Sequence, residues 1–230
     1  MYCIHSYFPK ELSSNLDRLS KNLTHFSAEK ELNIQSDKYT NFKFMDLTSS
    51  YIQFKNNAIK LKNGSSVAVI PPFCQVAEFY ENFCKYIILR FEGKRKYYRE
   101  NYPDMDIREL SDFIKNYKGN KEKVLIEISG MCKDCNLNKK SFTYMTLNQG
   151  KLKQYISGAK EYFSKETNHN YYTYSDEKDE LHIVWLEDNT SISLIHNFIK
   201  EKKVGGIHWK NPANVADGNW EAMKAIFSHL

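Results

Sequence analysis

The chain has 230 residues, of which 41% are hydrophobic and 14% aromatic, so it can form a packed core and is not a disordered segment. Its formal net charge is +5, with 33 basic against 28 acidic residues, which is mildly basic, whereas a dedicated nucleic-acid-binding protein usually concentrates its charge more sharply. No apolar run is long enough for a transmembrane helix, and residues 1–12 lack the basic and apolar regions of a signal peptide. We therefore expect no membrane partner and a cytoplasmic location, unless the sequence is a mature or truncated form.

Short apolar runs alternate with helical patterns in the first half of the chain. The run "SSVAVIPPF" is continuous and ends in two prolines, which is typical of a buried parallel strand. Gly64 follows the apolar positions of the preceding helix and predicts its end. The predicted strands are 1–8, 23–34, 65–73 and 86–91, and the predicted helices between them are 49–64 and 74–86.

The same alternation continues in the second half. Apolar side chains from Ile107 to Tyr117 fall on one helical stripe, and Gly119 follows the last turn. The acidic turn "SDEKDE" joins two aromatic runs and predicts a β-hairpin. The predicted elements are a helix at 105–119, a strand at 123–129, a helix at 148–166 that is interrupted near Gly158, the hairpin at 171–188, a helix at 191–203, a strand at 205–209 and a helix at 218–230.

Strands that alternate with helices predict right-handed βαβ units in an α/β fold with a parallel sheet or barrel. No linker, low-complexity tract or internal repeat is present, so residues 1–230 are predicted to form a single barrel-like domain. In such folds the functional residues lie at the carboxyl ends of the strands, and we expect the site there.

The five cysteines do not match a disulfide scaffold, because their number is odd and their spacing uneven. Cys132 and Cys135 form a lone C-x-x-C pair, a spacing that can supply two zinc ligands or a redox couple. No second pair lies nearby, and the polar residues 130–141 are typical of a loop. We therefore expect ordinary thiols in a turn, with no metal site and no cofactor.

Residues 171–210 resemble the closing portion of glycoside hydrolase family 18, the chitinase and chitinase-like barrels. In that family a strand hairpin leads into a turn of the type (W/Y)-x-D-x-x-S-I, then a helix, then a final Gly-Gly strand that ends in tryptophan. The matching residues are Trp185, Glu187, Asp188, Ser191 and Ile192 in the turn, and Gly205, Gly206 and Trp209 in the strand. The resemblance implies a reduced or partial (β/α) barrel with a small hairpin insertion before the last βα unit, because the chain is shorter than a typical member.

The catalytic signature of that family, D-x-x-D-x-D-x-E on the fourth barrel strand, matches no segment of the sequence. In the family the glutamate protonates the glycosidic oxygen, and the aspartate before it orients the acetamido group of the substrate. The nearest candidates here are Asp46 and Glu92. If residues 86–92 form the fourth strand, Glu92 takes the position of the acid, but Arg90 replaces the assisting aspartate and would lower the pKa of a neighbouring carboxyl. If they form the sixth strand, residues 89–92 correspond to the family's M-x-Y-D, and the catalytic strand has been lost.

Both alternatives predict a degenerate, chitinase-like barrel that recognises a glycan with N-acetylglucosamine, of the chito-oligosaccharide type, without efficient hydrolysis. If the chain is an active enzyme, we expect a glycoside hydrolase. Glu92 and Glu127 are the candidate catalytic carboxylates, since an unpaired Glu127 would be costly within its aliphatic strand. The candidate ligand-binding residues are Trp209, Arg90 and Trp185. The ring of Trp209 either stacks on a sugar or fills the core, and core packing is favoured for Trp185.

The basic and aromatic loop at 93–102 suggests a function from a different class. The stretch "EGKRKYYREN" combines four basic residues with two tyrosines, a mixture that suits phosphate contact and base stacking. Acidic residues follow directly, so a solvated loop is the favoured interpretation and nucleic acid is the less favoured partner. The alternative function is thus a nucleic-acid-binding or protein-interaction module, a role that a barrel without catalysis can serve.

Overall fold

The computed structural model describes residues 2–6, 25–28, 43–46, 66–70, 81, 84–91 and 101–210. Within this part of the chain, the strands form one parallel and one antiparallel sheet. The helices predicted at 49–64 and 218–230, and most of the helix predicted at 74–86, lie outside the described residues.

The larger sheet has seven strands, and every neighbouring pair in it is parallel. Its strands are β1 (Tyr2–Ser6), β2 (His25–Ala28), β3 (Lys43–Asp46), β4 (Ser66–Ile70), β5 (Tyr86–Leu89), β6 (Val124–Ile128) and β12 (Gly206–Trp209). Their order is β2-β1-β12-β6-β5-β4-β3, so the chain's first strand pairs with a strand formed about two hundred residues later. The predicted α/β class is confirmed, as are the strands predicted in six places.

Both faces of the central strands are buried. Side chains alternate between the faces along a strand, and residues paired across parallel strands share a face. One face carries an apolar cluster of Val67, Val69, Tyr86, Ile88 and Leu125. The opposite face carries Leu89, Ile126, Ile128, Ile207 and Trp209, all of them fully buried. Such double burial explains why these strands read as continuous apolar runs in the sequence.

The smaller sheet is inserted between β6 and β12 and is antiparallel throughout. Its order is β8-β7-β11-β10-β9, where the strands are β7 (Met131–Asn136), β8 (Ser141–Thr146), β9 (Tyr162–Ser164), β10 (His169–Ser175) and β11 (Leu181–Leu186). The predicted hairpin is confirmed as β10 and β11, with Tyr174 paired to His182. This insertion is larger than the small hairpin that the sequence predicted, because three further strands join it.

Two predictions in this region are wrong. Residues 131–136 form a buried inner strand of the smaller sheet, where a loop was predicted, because β11 and β8 pair with its two sides. The polar side chains of Lys133 and Asp134 concealed the strand, although they are only 2% and 4% exposed. The helix predicted at 148–166 is correct up to the break expected near Gly158, whose φ of 65° closes it in the left-handed conformation. Its continuation to residue 166 is wrong, because β9 follows.

The described helices begin at side-chain caps. Helix α1 (Ile107–Asn116) is capped by Asp106, and α3 (Asn189–Lys202) by Asp188. Helix α2 (Leu147–Ser157) begins with a capping box between Thr146 and Gln149. It packs on one face of the smaller sheet through an apolar cluster of Cys132, Leu147, Tyr172, Val184 and Leu186. No helix in the described residues is long and apolar enough to cross a membrane.

Candidate active site

A buried charged cluster lies at the carboxyl ends of three neighbouring strands of the parallel sheet. Glu127 on β6 pairs in register with His208 on β12, and Arg90 directly follows β5. The Arg90 guanidinium donates through Nε to Glu127 Oε1 at 2.6 Å and through Nη2 to Oε2 at 3.1 Å. The His208 ring nitrogen Nδ1 lies 3.1 Å from Glu127 Oε2. The cluster therefore places one carboxylate between two groups that can carry positive charge.

The surroundings of Glu127 keep it ionised. Burial by itself would raise the pKa of this carboxyl, but the hydrogen bond and charge of His208, followed by those of Arg90, lower the pKa to about 2. A carboxyl with so low a pKa carries no proton to donate near neutral pH. The arrangement fits an ionic cluster that holds three strands together, and it does not fit a general acid.

Replacing Glu127 with glutamine is expected to cost most stability near neutral pH and progressively less in acid. Because the pKa falls from its ordinary 4.5 to about 2 on folding, the stability contributed by the carboxylate is fully present above about pH 5 and is lost as the pH falls towards 2. Urea unfolding of Glu127→Gln and wild type, at several pH values across that window, measures this difference. The exposed Glu177→Gln provides the control, and a difference that is constant with pH would contradict the assignment.

The junction between the two sheets is held by Glu187. Its Oε2 accepts hydrogen bonds from Ser129 Oγ at 3.0 Å, from the Gly130 backbone N–H and from the Met131 backbone N–H at 3.2 Å. The next residue, Asp188, accepts from the first backbone N–H groups of α3. The two acidic residues of the turn that resembles family 18 therefore fix the chain where it enters and leaves the smaller sheet.

Residues 101–106 cross the face of the smaller sheet that carries Trp185. The Trp185 indole donates to the Asn101 carbonyl at 2.7 Å, and the Tyr102 ring lies 6.0 Å from it. Lys133 Nζ lies 3.0 Å from Asp104 Oδ1, and this ion pair is buried on the lysine side. Trp185 is only 6% exposed as a result. We name residues 101–106 the covering segment.

A narrow pocket separates the charged cluster from the covering segment. It is lined by Phe91, Asp104, Met105, Glu127, Ser129 and Glu187. The cavity volume is about 20 Å³, which is room for one or two water molecules and too small for a sugar ring. A glycan that binds at this edge must therefore displace the covering segment or use the surface beside it.

The structure brings together only some of the predicted site residues. Arg90 and Glu127 are in direct contact, as described above. Trp209 follows His208 on β12, so its ring points to the opposite face from Glu127, and it is fully buried. Trp185 lies under the covering segment. Glu92 lies outside the described residues, and so does the loop at 93–102 except for its last two residues.

Sequence reasoning did not connect His208 with Glu127, and it missed Asp104. The signal for His208 was a polar residue in an apolar strand, like that for Glu127, but the register that brings the two together is not encoded locally.

The separation of the two cysteines was not foreseen either. Cys132 and Cys135 are three residues apart on β7, so their thiols face opposite sides of the sheet. Burial raises the pKa of both thiols to about 12. This geometry excludes a metal or disulfide shared by the two.

Comparison with known proteins places the architecture among chitinases. A chitinase from Chromobacterium violaceum superposes with a TM-score of 0.71 at 11% identity, covering 99% of each chain. The spore cortex-lytic enzyme SleL from Bacillus cereus gives 0.71 at 12% identity, over 98% of this chain and 74% of the other. A glycoside hydrolase family 18 N-acetylglucosaminidase from Paenibacillus barengoltzii gives 0.66 at 12% identity over the full length of both. The chain has a chitinase-like family 18 fold.

No protein-family model and no curated protein sequence matches the chain. The identities of 11–12% mean that the likeness is one of fold. Two of these structures are covered almost completely, so the shorter length expected from the sequence does not distinguish the chain from every chitinase-like structure.

Proposed function

We propose that the chain is a chitinase-like barrel that recognises a glycan containing N-acetylglucosamine, without efficient hydrolysis. The fold shared with chitinases and an N-acetylglucosaminidase supports the glycan class. The observation that supports the lack of efficient hydrolysis is the contact of Arg90 and His208 with Glu127, which keeps this carboxylate ionised at the edge of the sheet. Residues 1–230 act in this proposal as one barrel-like domain.

The strand order supports the second of the two registers left open by the sequence. In an eight-stranded barrel whose last strand pairs with β1, β12 takes the eighth position, β6 the seventh and β5 the sixth. Residues 89–92 then correspond to the family's M-x-Y-D. By the same count β3 takes the fourth position, and among the described strands none takes the third position, between β2 and β3. The reduced barrel remains part of this proposal.

The residues of β3 bear on hydrolysis. Asp46 is the acidic residue of this strand. If Asp46 matches the assisting aspartate of the family, Thr48 stands two residues later, where the glutamate acid belongs. If Asp46 matches the acid itself, Phe44 stands in place of the assisting aspartate. In either alignment one of the two groups needed for substrate-assisted hydrolysis is replaced.

Binding and turnover should be measured together. Chito-oligosaccharide is expected to change the tryptophan fluorescence saturably, with little dependence on salt, and a fluorogenic N-acetylglucosaminide is expected to release no product. A cello-oligosaccharide of the same length, which lacks acetamido groups, is the control ligand. Turnover that Glu92→Gln abolishes would overturn the non-hydrolytic assignment. Failure to bind chito-oligosaccharide, combined with nucleic-acid binding that weakens steeply with salt, would favour the loop at 93–102 as the functional element.

A further inference from the structure

A second cluster of donor groups lies at the turn of the β10–β11 hairpin. One nitrogen of His182 and one oxygen each from Asp176 and Glu180 lie within 4.8 Å of one another, and all three residues are partly exposed. The distance from Asp176 Oδ2 to His182 Nε2 is 3.6 Å. Two ligands about 2.1 Å from one metal ion are separated by a similar distance. This cluster is separate from Glu127, Arg90 and His208.

The tautomer of His182 turns its lone pair towards the two carboxylates. Its Nδ1 lies 2.8 Å from Oδ1 of Asp134. A carboxylate can only accept, so Nδ1 carries the proton and Nε2 of the neutral ring is the acceptor. A carboxylate that holds the far nitrogen of a histidine is the usual support of a metal-binding imidazole. Asp134 is itself held by Lys153 at 2.6 Å and by Tyr174 at 2.8 Å.

The amide of Asn136 agrees with a proton on Nδ1 of His182 and none on Nε2. Its Oδ1 accepts from the backbone N–H groups of Asn138 and Lys139, so its Nδ2 must face His182 Nε2, at 3.2 Å. The same Nδ2 donates to Glu180 Oε2 at 2.7 Å. His182 Nε2 therefore accepts a hydrogen bond from the amide of Asn136, and a metal ion would replace that contact.

The two carboxylates are anchored by hydrogen bonds. Asp176 Oδ1 accepts from the backbone N–H groups of Glu180 and Lys178, each at 2.9 Å, which directs Oδ2 towards His182. Glu180 Oε2 accepts from Asn136 Nδ2 and from Lys139 Nζ, each at 2.7 Å. Lys139 Nζ lies 2.7 Å from Glu180, so the cluster already attracts one cation.

We infer that Asp176, Glu180 and His182 form a binding site for a divalent first-row transition metal ion, with zinc preferred. One imidazole and two carboxylates match the ligand set of zinc, whereas calcium and magnesium favour oxygen ligands alone. Water would complete the coordination, since the cluster is partly exposed. The ammonium group of Lys139 competes with the metal ion for Glu180.

Zinc binding can be tested by calorimetric titration of the full chain, with cobalt absorption spectra as a direct report of the ligands. Asp176→Asn and His182→Gln are each expected to weaken zinc binding at least tenfold. Asp179→Asn lies in the same turn and makes the same charge change outside the cluster, so it should leave the affinity unchanged. Lys139→Met should tighten binding, because it removes the competing cation.

Several outcomes would overturn the assignment. Absence of saturable zinc binding at millimolar concentration would do so, as would an equal loss in Asp179→Asn and Asp176→Asn, which would mean that only the general charge of the turn matters. Unchanged or weaker binding in Lys139→Met would show that zinc does not compete with the ammonium group for Glu180. Retained cobalt absorption in His182→Gln would place the metal at other residues. The glycan-binding measurement is independent of each of these results.

Discussion

Arg90→Met is expected to lower the free energy of unfolding by about 3–5 kcal/mol, because it leaves the Glu127 carboxylate buried with one of its two partners removed. The Glu127 side chain is 3% exposed, so bulk water has little access to replace the two hydrogen bonds that the guanidinium donates. Denaturant unfolding followed by circular dichroism measures the change.

Arg108→Met is the matched control. Arg108 also contacts two carboxylates, Asp106 and Glu166, but its side chain is 51% exposed, and the same substitution should cost no more than about 1 kcal/mol. The double variant Arg90→Met with Glu127→Met should recover part of the lost stability, since it removes the buried ion pair but also takes the Glu127 carboxylate from His208. A loss below about 1 kcal/mol for Arg90→Met alone would show that Glu127 is not held as described.

Strands and helices with strong apolar patterns were predictable from the sequence. The strands around Val67, Ile88 and Ile126 were found because both of their faces are buried, which leaves a continuous apolar run. Gly158 marked the end of α2 for a local reason, because a glycine readily takes the left-handed conformation that closes a helix. What could be predicted is therefore what is decided locally.

The rest depends on contacts between distant residues. The strand at 131–136 looks polar in the sequence because it contains Lys133 and Asp134. These side chains can be buried because they pair with Asp104, Lys153 and His182, and none of these partners lies in the strand itself. Glu127 and His208 are 81 residues apart in the sequence, and their side chains lie side by side because β6 and β12 pair with these two residues in register.

The predicted site shows the same limit. Glu127 and Trp209 were both expected at the carboxyl edge, and both lie near it in the sheet. One step along β12 separates the residue that faces Glu127 from the residue that faces away, because side chains alternate along a strand. A sequence pattern can indicate which edge carries the site, but only the register decides which side chains share a face there.

Trp209→Ala is expected to lower the free energy of unfolding by about 3–5 kcal/mol, as removal of a large buried aromatic side chain does. The ring is fully buried on the face that also carries Ile126, Ile128 and Ile207. Its indole N–H has no hydrogen-bond partner in the described part of the chain. Trp209→Phe should therefore cost much less, since it shortens the side chain without breaking a hydrogen bond.

Trp185→Phe is the matched control, because the Trp185 indole donates to the Asn101 carbonyl, and that bond is lost with the indole. The stability of each variant should be measured by denaturant unfolding, and chito-oligosaccharide binding by calorimetry, which needs no tryptophan signal. If Trp209 fills the core, Trp209→Phe keeps the wild-type affinity for the glycan. A stable Trp209→Ala protein that no longer binds the glycan would instead identify this ring as a sugar-stacking surface, exposed when the ligand is bound.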